Sequence, residues 1–165
     1  MSSEIQVKKG AAQKKLPLNR FELWQLFNNT NFAISRAREI ELAKFGLTLE
    51  QAILLNTLIK NGGSATLDEI AERTIRQYHS VSTLVKRMTK SGLVKKVKYS
   101  DKKKFEVSIT DKGYEIYSKI PPNSLEMIFS VLSIQDQESL ATILQSLKLR
   151  ARNLLGLDYK HPFLT

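Results

Sequence analysis

Between Arg73 and Lys104 the chain places eleven lysines and arginines against one acid, Asp101. That stretch alone accounts for the whole formal net charge of +10, because the acids and bases of the remaining chain cancel. Charge kept for solubility is spread over a surface. Charge focused in this way suits a face that meets a row of phosphates and displaces their counterions, although a plain solvated basic face is the alternative. Inside the stretch, Val81, Leu84, Val85 and Met88 form the i, i+3, i+4, i+7 stripe of a helix docked on a core. At about 100° per residue the opposite face carries His79, Thr83, Lys86 and Lys90, flanked by Arg76, Ser82 and Arg87. Gln77 and Tyr78 stand at the entrance to this helix, where either could meet a ligand or Tyr78 could pack under the preceding turn. His79 suits a base or phosphate contact, or is an ordinary exposed histidine. Lys86, Arg87 and Lys90 suit phosphates better than base edges.

Other chemistry has little to stand on. The sequence holds no nucleophile elbow, glycine-rich phosphate loop, zinc signature or paired-carboxylate motif, so an enzyme is not expected. The two histidines, His79 and His161, are too few for a metal site, and the absence of cysteine removes thiolate nucleophiles, redox sensing and disulfides. No cofactor is expected.

The elements that must position the basic face follow from local signals. At 165 residues and 42% hydrophobic content the chain is long enough for one globular unit with a core. Residues 1–16 read as a disordered basic arm. From Leu18 to Phe45 the pattern is helical, with Phe21, Trp24, Phe27, Ile34, Ile40 and Leu42 spread over more than one face, so a partner subunit is a natural cover. Thr48 with Gln51 and Thr66 with Glu69 fit capping boxes and start helices over Leu49–Lys60 and Leu67–Thr74. The first turns Ala52, Ile53, Leu55, Leu58 and Ile59 inward and ends at Gly62-Gly63; the second is anchored by Leu67, Ile70 and Ala71. After a break at Ile75–Tyr78 the basic helix runs to about Ser91, with Gly92 as its stop. Leu93–Tyr99 and Phe105–Ile109 read as a hairpin with a charged tip. Lys95, Lys96 and Lys98 alternate along its first strand, so only part of that set can face a ligand. Thr110-Asp111 starts a helix over Lys112–Lys119, Pro121-Pro122 forces a bend, helix resumes over Ser124–Leu132, and Ser133 with Asp136 caps a final helix. Its apolar stripe is Leu140, Ile143, Leu144, Leu147, Ala151, Leu154 and Leu155. The expected class is α+β, mainly α. No apolar run approaches the ~18 to 20 residues of a membrane span and the N-terminus lacks a signal-peptide core, so the expected location is cytoplasmic, with no membrane partner.

Helix, short helix, turn, basic helix and hairpin is the order of a winged helix-turn-helix, whose second helix enters the major groove of double-stranded DNA while its wing follows the backbone. The residues also resemble the MarR family of transcriptional regulators. Leu47-Thr48-x-x-Gln51, Asp68-Glu69-Ile70-Ala71, Val81-Ser82-x-Leu84-Val85, Ser91-Gly92-Leu93-Val94, Asp101 nine positions before Thr110, and Ile109-Thr110-Asp111-Lys112-Gly113 occur in that family's order. The resemblance spans about residues 18 to 155. It implies a homodimer, with a dimerisation helix at 17–46, a DNA-binding region at 47–113, further dimerisation helices at 114–156 and a tail at 157–165. It also allows a small-molecule effector cavity lined by aromatic residues such as Trp24, Phe27, Phe32, Phe45 and Tyr114, which at helical spacing are otherwise core. The wing departs from the family pattern. Where MarR-like wings carry Asp-x-Arg, Asp101-Lys102-Lys103-Lys104 offers lysines, point charges that cannot fork onto two acceptors, so phosphate anchoring and strong salt dependence are expected. The expected function is a DNA-binding regulator, a repressor binding a pseudo-palindromic operator as a homodimer and responsive to a ligand. The alternatives are an architectural DNA-binding protein with little sequence preference and a winged helix used for protein contacts.

Overall fold

The computed structural model describes residues 18–98 and 105–155. Ten elements follow one another: α1 (Arg20–Ala43), α2 (Leu49–Lys60), β1 (Ser64–Thr66), α3 (Leu67–Thr74), α4 (Tyr78–Lys90), β2 (Val94–Lys98), β3 (Phe105–Ile109), α5 (Asp111–Ser118), α6 (Asn123–Phe129) and α7 (Ile134–Leu154). The chain divides into two compact units, Met1–Ala33 and Ile34–Thr165. In the first, Asn19 and Glu22 open α1 reciprocally. The Asn19 side chain accepts from the Glu22 amide at 3.0 Å, and the Glu22 carboxylate accepts from the Asn19 amide at 2.9 Å. Phe21 and Trp24 lie with ring centroids 5.6 Å apart and are both exposed.

In the second unit, local chemistry sets the helix starts. Both expected capping boxes are present, with Thr48 closing on Gln51 and Thr66 on Glu69, and α2 and α3 occupy the residues that those caps predict. The core is built from Leu42, Leu54, Leu55, Leu58, Ile70, Val81, Val85, Met88, Val94 and Val107. One expectation is corrected on α2. Ile53 is exposed and Ile59 only half-buried, while Leu54 is buried. Leu54, Leu55 and Leu58 fall within one arc of about 100°, and Ile53 lies outside it.

The hairpin is part of a three-stranded antiparallel sheet in the order β1-β3-β2, because Ser64–Thr66 pairs with β3 through Ser64↔Ser108, Ala65↔Val107 and Thr66↔Glu106. The β2 register puts Val94 opposite Ile109, Lys96 opposite Val107 and Lys98 opposite Phe105. Beyond the sheet, α6 begins one residue earlier and ends three residues earlier than Ser124–Leu132. The apolar residues of α7 are largely uncovered within the single chain: Ile143 and Leu147 are each 56% exposed and Leu154 is 73% exposed.

Candidate nucleic-acid interface

Helix α4 is held by its apolar stripe. Val81, Leu84, Val85 and Met88 are all buried, which fixes the rotation of the helix and turns His79, Thr83, Lys86, Arg87 and Lys90 to solvent. Tyr78 is exposed and Ser82 half-buried. The helix contains no acidic residue, so no carboxylate on it competes with an incoming anion. Its N-cap, Gln77, makes no side-chain capping bond, leaving first-turn amides without a side-chain acceptor at the positive end of the helix dipole.

The turn that aims α4 is tightly built. Ile75 takes the left-handed conformation at φ 54° and ψ 45°, a region that costs a β-branched residue roughly 1–2 kcal/mol. This kink is locked by the Ile75 amide donating to the Glu72 carbonyl at 3.2 Å and the Arg76 amide donating to the Ala71 carbonyl at 2.9 Å. Arg76, expected on the polar face of the basic helix, instead pairs with Glu50 in the first turn of α2 at 2.6 Å. Both side chains stay partly solvated, so the pair is exchangeable.

The hairpin joins α4 through α5. Thr110 donates its hydroxyl to the Gly92 and Leu93 carbonyls at 2.7 and 3.0 Å and accepts from the Gly113 amide at 3.0 Å. Lys112 donates to the Ser91 carbonyl at 2.9 Å, placing a cation at the C-terminal end of α4. Lys95, Lys96 and Lys98 are all exposed. Lys96 and Lys98 continue the sheet face of the buried Val94 and Val107 past the core, while Lys95 lies on the other face with Ser108. The wing-tip candidates Asp101, Lys102, Lys103 and Lys104 lie outside the described residues, as do the N-terminal arm and the C-terminal tail.

A second polar cluster ties the end of α1 to the start of α6. Arg38 donates to Glu41 at 2.5 Å and to the Pro121 carbonyl at 2.8 Å, and Glu41 accepts from both the amide and the hydroxyl of Ser124. The Ser124 hydroxyl, with help from Arg38, holds the Glu41 carboxyl below its usual pKa. Half-burial pushes the nearby Tyr117 phenol up, against the opposing charge of Arg38.

Of the aromatic effector candidates, Trp24 and Phe32 belong to the first unit and are exposed, while Phe45 is half-buried and Tyr114 exposed in the second. An open cleft of about 470 Å³ in the second unit is lined by Arg36, Glu39, Leu47, Leu49, Glu50 and Arg76 among others, and by neither Phe45 nor Tyr114. Among the described residues no His, Asp or Glu cluster has the makings of a metal site, and no helix is long and apolar enough to cross a membrane.

The MarR family model matches residues 45–103, the span from the end of α1 to the wing. The fold is shared with the organohalide-sensing RdhR transcriptional regulator in its ligand-free form, with a TM-score of 0.79 at 23% identity over 98% of this chain and 99% of that one. The 2,4-dichlorophenol-bound form of the same regulator gives a TM-score of 0.74 at 27% identity, covering 94% of this chain and 93% of that one. The chain has the winged-helix fold of the MarR-family regulators, and its residues 45–103 match that family's model. A Staphylococcus aureus MepR–DNA complex is a further structural neighbour, with a TM-score of 0.71 at 19% identity over 81% of this chain and 99% of that one. No curated protein matches the chain by sequence.

Within this winged-helix frame, the residues that sequence reasoning missed share one property. Glu50, Glu41, Arg38, Lys112 and Arg152 act through partners far along the chain, such as Arg76 for Glu50 and Ser124 for Glu41. Only Lys112 carried a local signal, lying inside the Thr110-Asp111-Lys112-Gly113 motif.

Proposed function

We propose that this chain is a cytoplasmic, sequence-specific regulator that binds a pseudo-palindromic operator as a homodimer, repressing transcription and responding to a small-molecule effector. The observation that carries the reading is α4 itself, with one face locked in the core and the other polar, basic and free of acids. In the proposed complex each α4 lies in a major groove. Gln77, Tyr78, His79, Ser82 and Thr83 near its start meet base edges, and Lys86, Arg87 and Lys90 hold phosphates. Arg76 joins them by exchanging Glu50 for a phosphate. Asp101, Lys102, Lys103 and Lys104, which the sequence puts between β2 and β3, supply the wing's grip on the backbone.

Residues 17–46 and 114–156 form the dimerisation layer in this reading, for which the uncovered apolar residues of α1 and α7 speak. The DNA-bound MepR structure and the dichlorophenol-bound RdhR structure support DNA and a small effector as partners by analogy. Trp24, Phe32, Phe45 and Tyr114 are the effector-pocket residues proposed.

Selection of bound duplexes from a random pool, with the protein's mass in solution measured alongside, tests this. The expected result is a dimer and a two-fold motif whose half-sites are centred about one duplex turn, roughly 34 Å, apart. With about six phosphates neutralised, log K falls against log salt with a slope near −5. Binding without any enriched motif would point instead to an architectural protein, for which the lysine-rich stretch 95–104 speaks.

A further inference from the structure

Helix α7 meets the rest of its unit through an unusual residue. Its apolar side chains are largely exposed, and the one residue it buries is Arg152, which is 5% exposed. Burying a guanidinium is costly unless acceptors and negative charge meet it. At the C-terminal end of α3 one such acceptor meets Arg152, whose Nη1 donates to the Glu72 carbonyl at 3.4 Å. That carbonyl belongs to the negative end of the α3 dipole, and it also accepts the amide of Ile75, the left-handed residue of the turn. A cation from α7, eighty residues further along the chain, therefore caps the helix whose last turn aims α4.

We propose that Arg152 is a positioning residue for DNA recognition, coupling the C-terminal helix to the α3–α4 turn and so to the angle at which α4 is presented. The proposal rests on the DNA-binding reading above and adds to it the path by which a displacement of α7 reaches the recognition helix. The turn suits that role. Ile75 occupies a conformation a β-branched residue disfavours, so it persists only while its surroundings hold it. Removing the cap on Glu72 loosens one of those holds. Base contacts need α4 in register to within a fraction of an ångström, whereas lysines on flexible stems reach phosphates from a range of helix angles. Loss of Arg152 should therefore cost specific binding and spare non-specific binding.

The test compares the full-length protein with Arg152→Met and Arg152→Lys. Methionine keeps much of the apolar stem and removes the charge; lysine restores a donor and a cation at the end of α3. Arg152→Met should lower affinity for the selected operator about tenfold, leaving affinity for random DNA and the salt slope unchanged, and Arg152→Lys should recover part of the loss. Amide exchange at Arg76, whose N–H closes the turn on Ala71, should quicken in Arg152→Met and less so in Arg152→Lys. Equal losses on operator and random DNA, or unaltered exchange at Arg76, would overturn the proposal. The exchange measurement uses no DNA, so it judges the tie even if the operator reading fails. If Arg152→Met does not fold, the lysine variant carries both measurements against wild type.

Discussion

Gly113 offers the sharpest test of how the wing is mounted. It lies in the first turn of α5, and a Cβ built on it would stand 2.2 Å from the Leu93 carbonyl oxygen, 3.1 Å from the Leu93 carbonyl carbon and 3.1 Å from Ile109 Cγ1. Ordinary contact begins at 3.4 Å, and the obstruction is backbone rather than a flexible tip, so α5 and the start of the hairpin must part by about 1.2 Å. Parting them stretches the bonds that Thr110 makes to Leu93 from its amide at 3.2 Å and its hydroxyl at 3.0 Å. Overpacking of this kind costs roughly 1–3 kcal/mol, and each weakened hydrogen bond adds about 1 kcal/mol. Alanine's better helix propensity returns about 1 kcal/mol. Gly113→Ala should therefore lose roughly 2–4 kcal/mol, measurable as a lower urea midpoint at fixed protein concentration and a melting temperature down by about 4–16 °C. Gly92→Ala is the comparison, since its φ of +75° strains alanine but its Cβ meets only the flexible side chain of Lys112 at 3.8 Å. A Gly113→Ala protein as stable as wild type would refute the reasoning, because propensity alone predicts a gain.

Two further outcomes follow from the polar cluster and the uncovered helices. Because the folded-state pKa of Glu41 is lowered from 4.5, its stabilisation is complete above that value and is lost as pH falls through the lower folded value. Glu41→Gln should flatten the fall in stability below about pH 4.5, seen in urea titrations at stepped pH, and an unchanged acid slope would remove Glu41 as its source. Leu147→Glu puts a charge on the exposed apolar stripe of α7, and sedimentation should show the mass falling from that of a dimer to that of a monomer. A dimer that survives would place the interface elsewhere.

Much of the fold was legible because it is encoded over three or four residues. The Thr48–Gln51 and Thr66–Glu69 boxes place two helix starts by themselves, and the period of Val81, Leu84, Val85 and Met88 orients α4. What escaped depends on distant partners. Ser64–Thr66 is too short to show alternation and becomes a strand only because β3 pairs with it. Ile53 and Leu54 are equally apolar, so their order of burial is set by the surface α2 meets. The outward set His79, Thr83, Lys86 and Lys90 could be read from periodicity, but the diversion of Arg76 to Glu50, 26 residues away, could not.

With β3 in the middle, β2 is an edge strand among the described residues, its outer side facing no further strand of the sheet. Such an edge is a template for another chain's strand. Lysine at three of its five positions, Lys95, Lys96 and Lys98, makes a second strand bring charge against charge, so a set of side chains of which only part can face DNA also opposes edge-to-edge pairing. Neutralising them to probe binding would therefore remove a safeguard of solubility as well as a contact, and variants of the α4 face are the cleaner instrument.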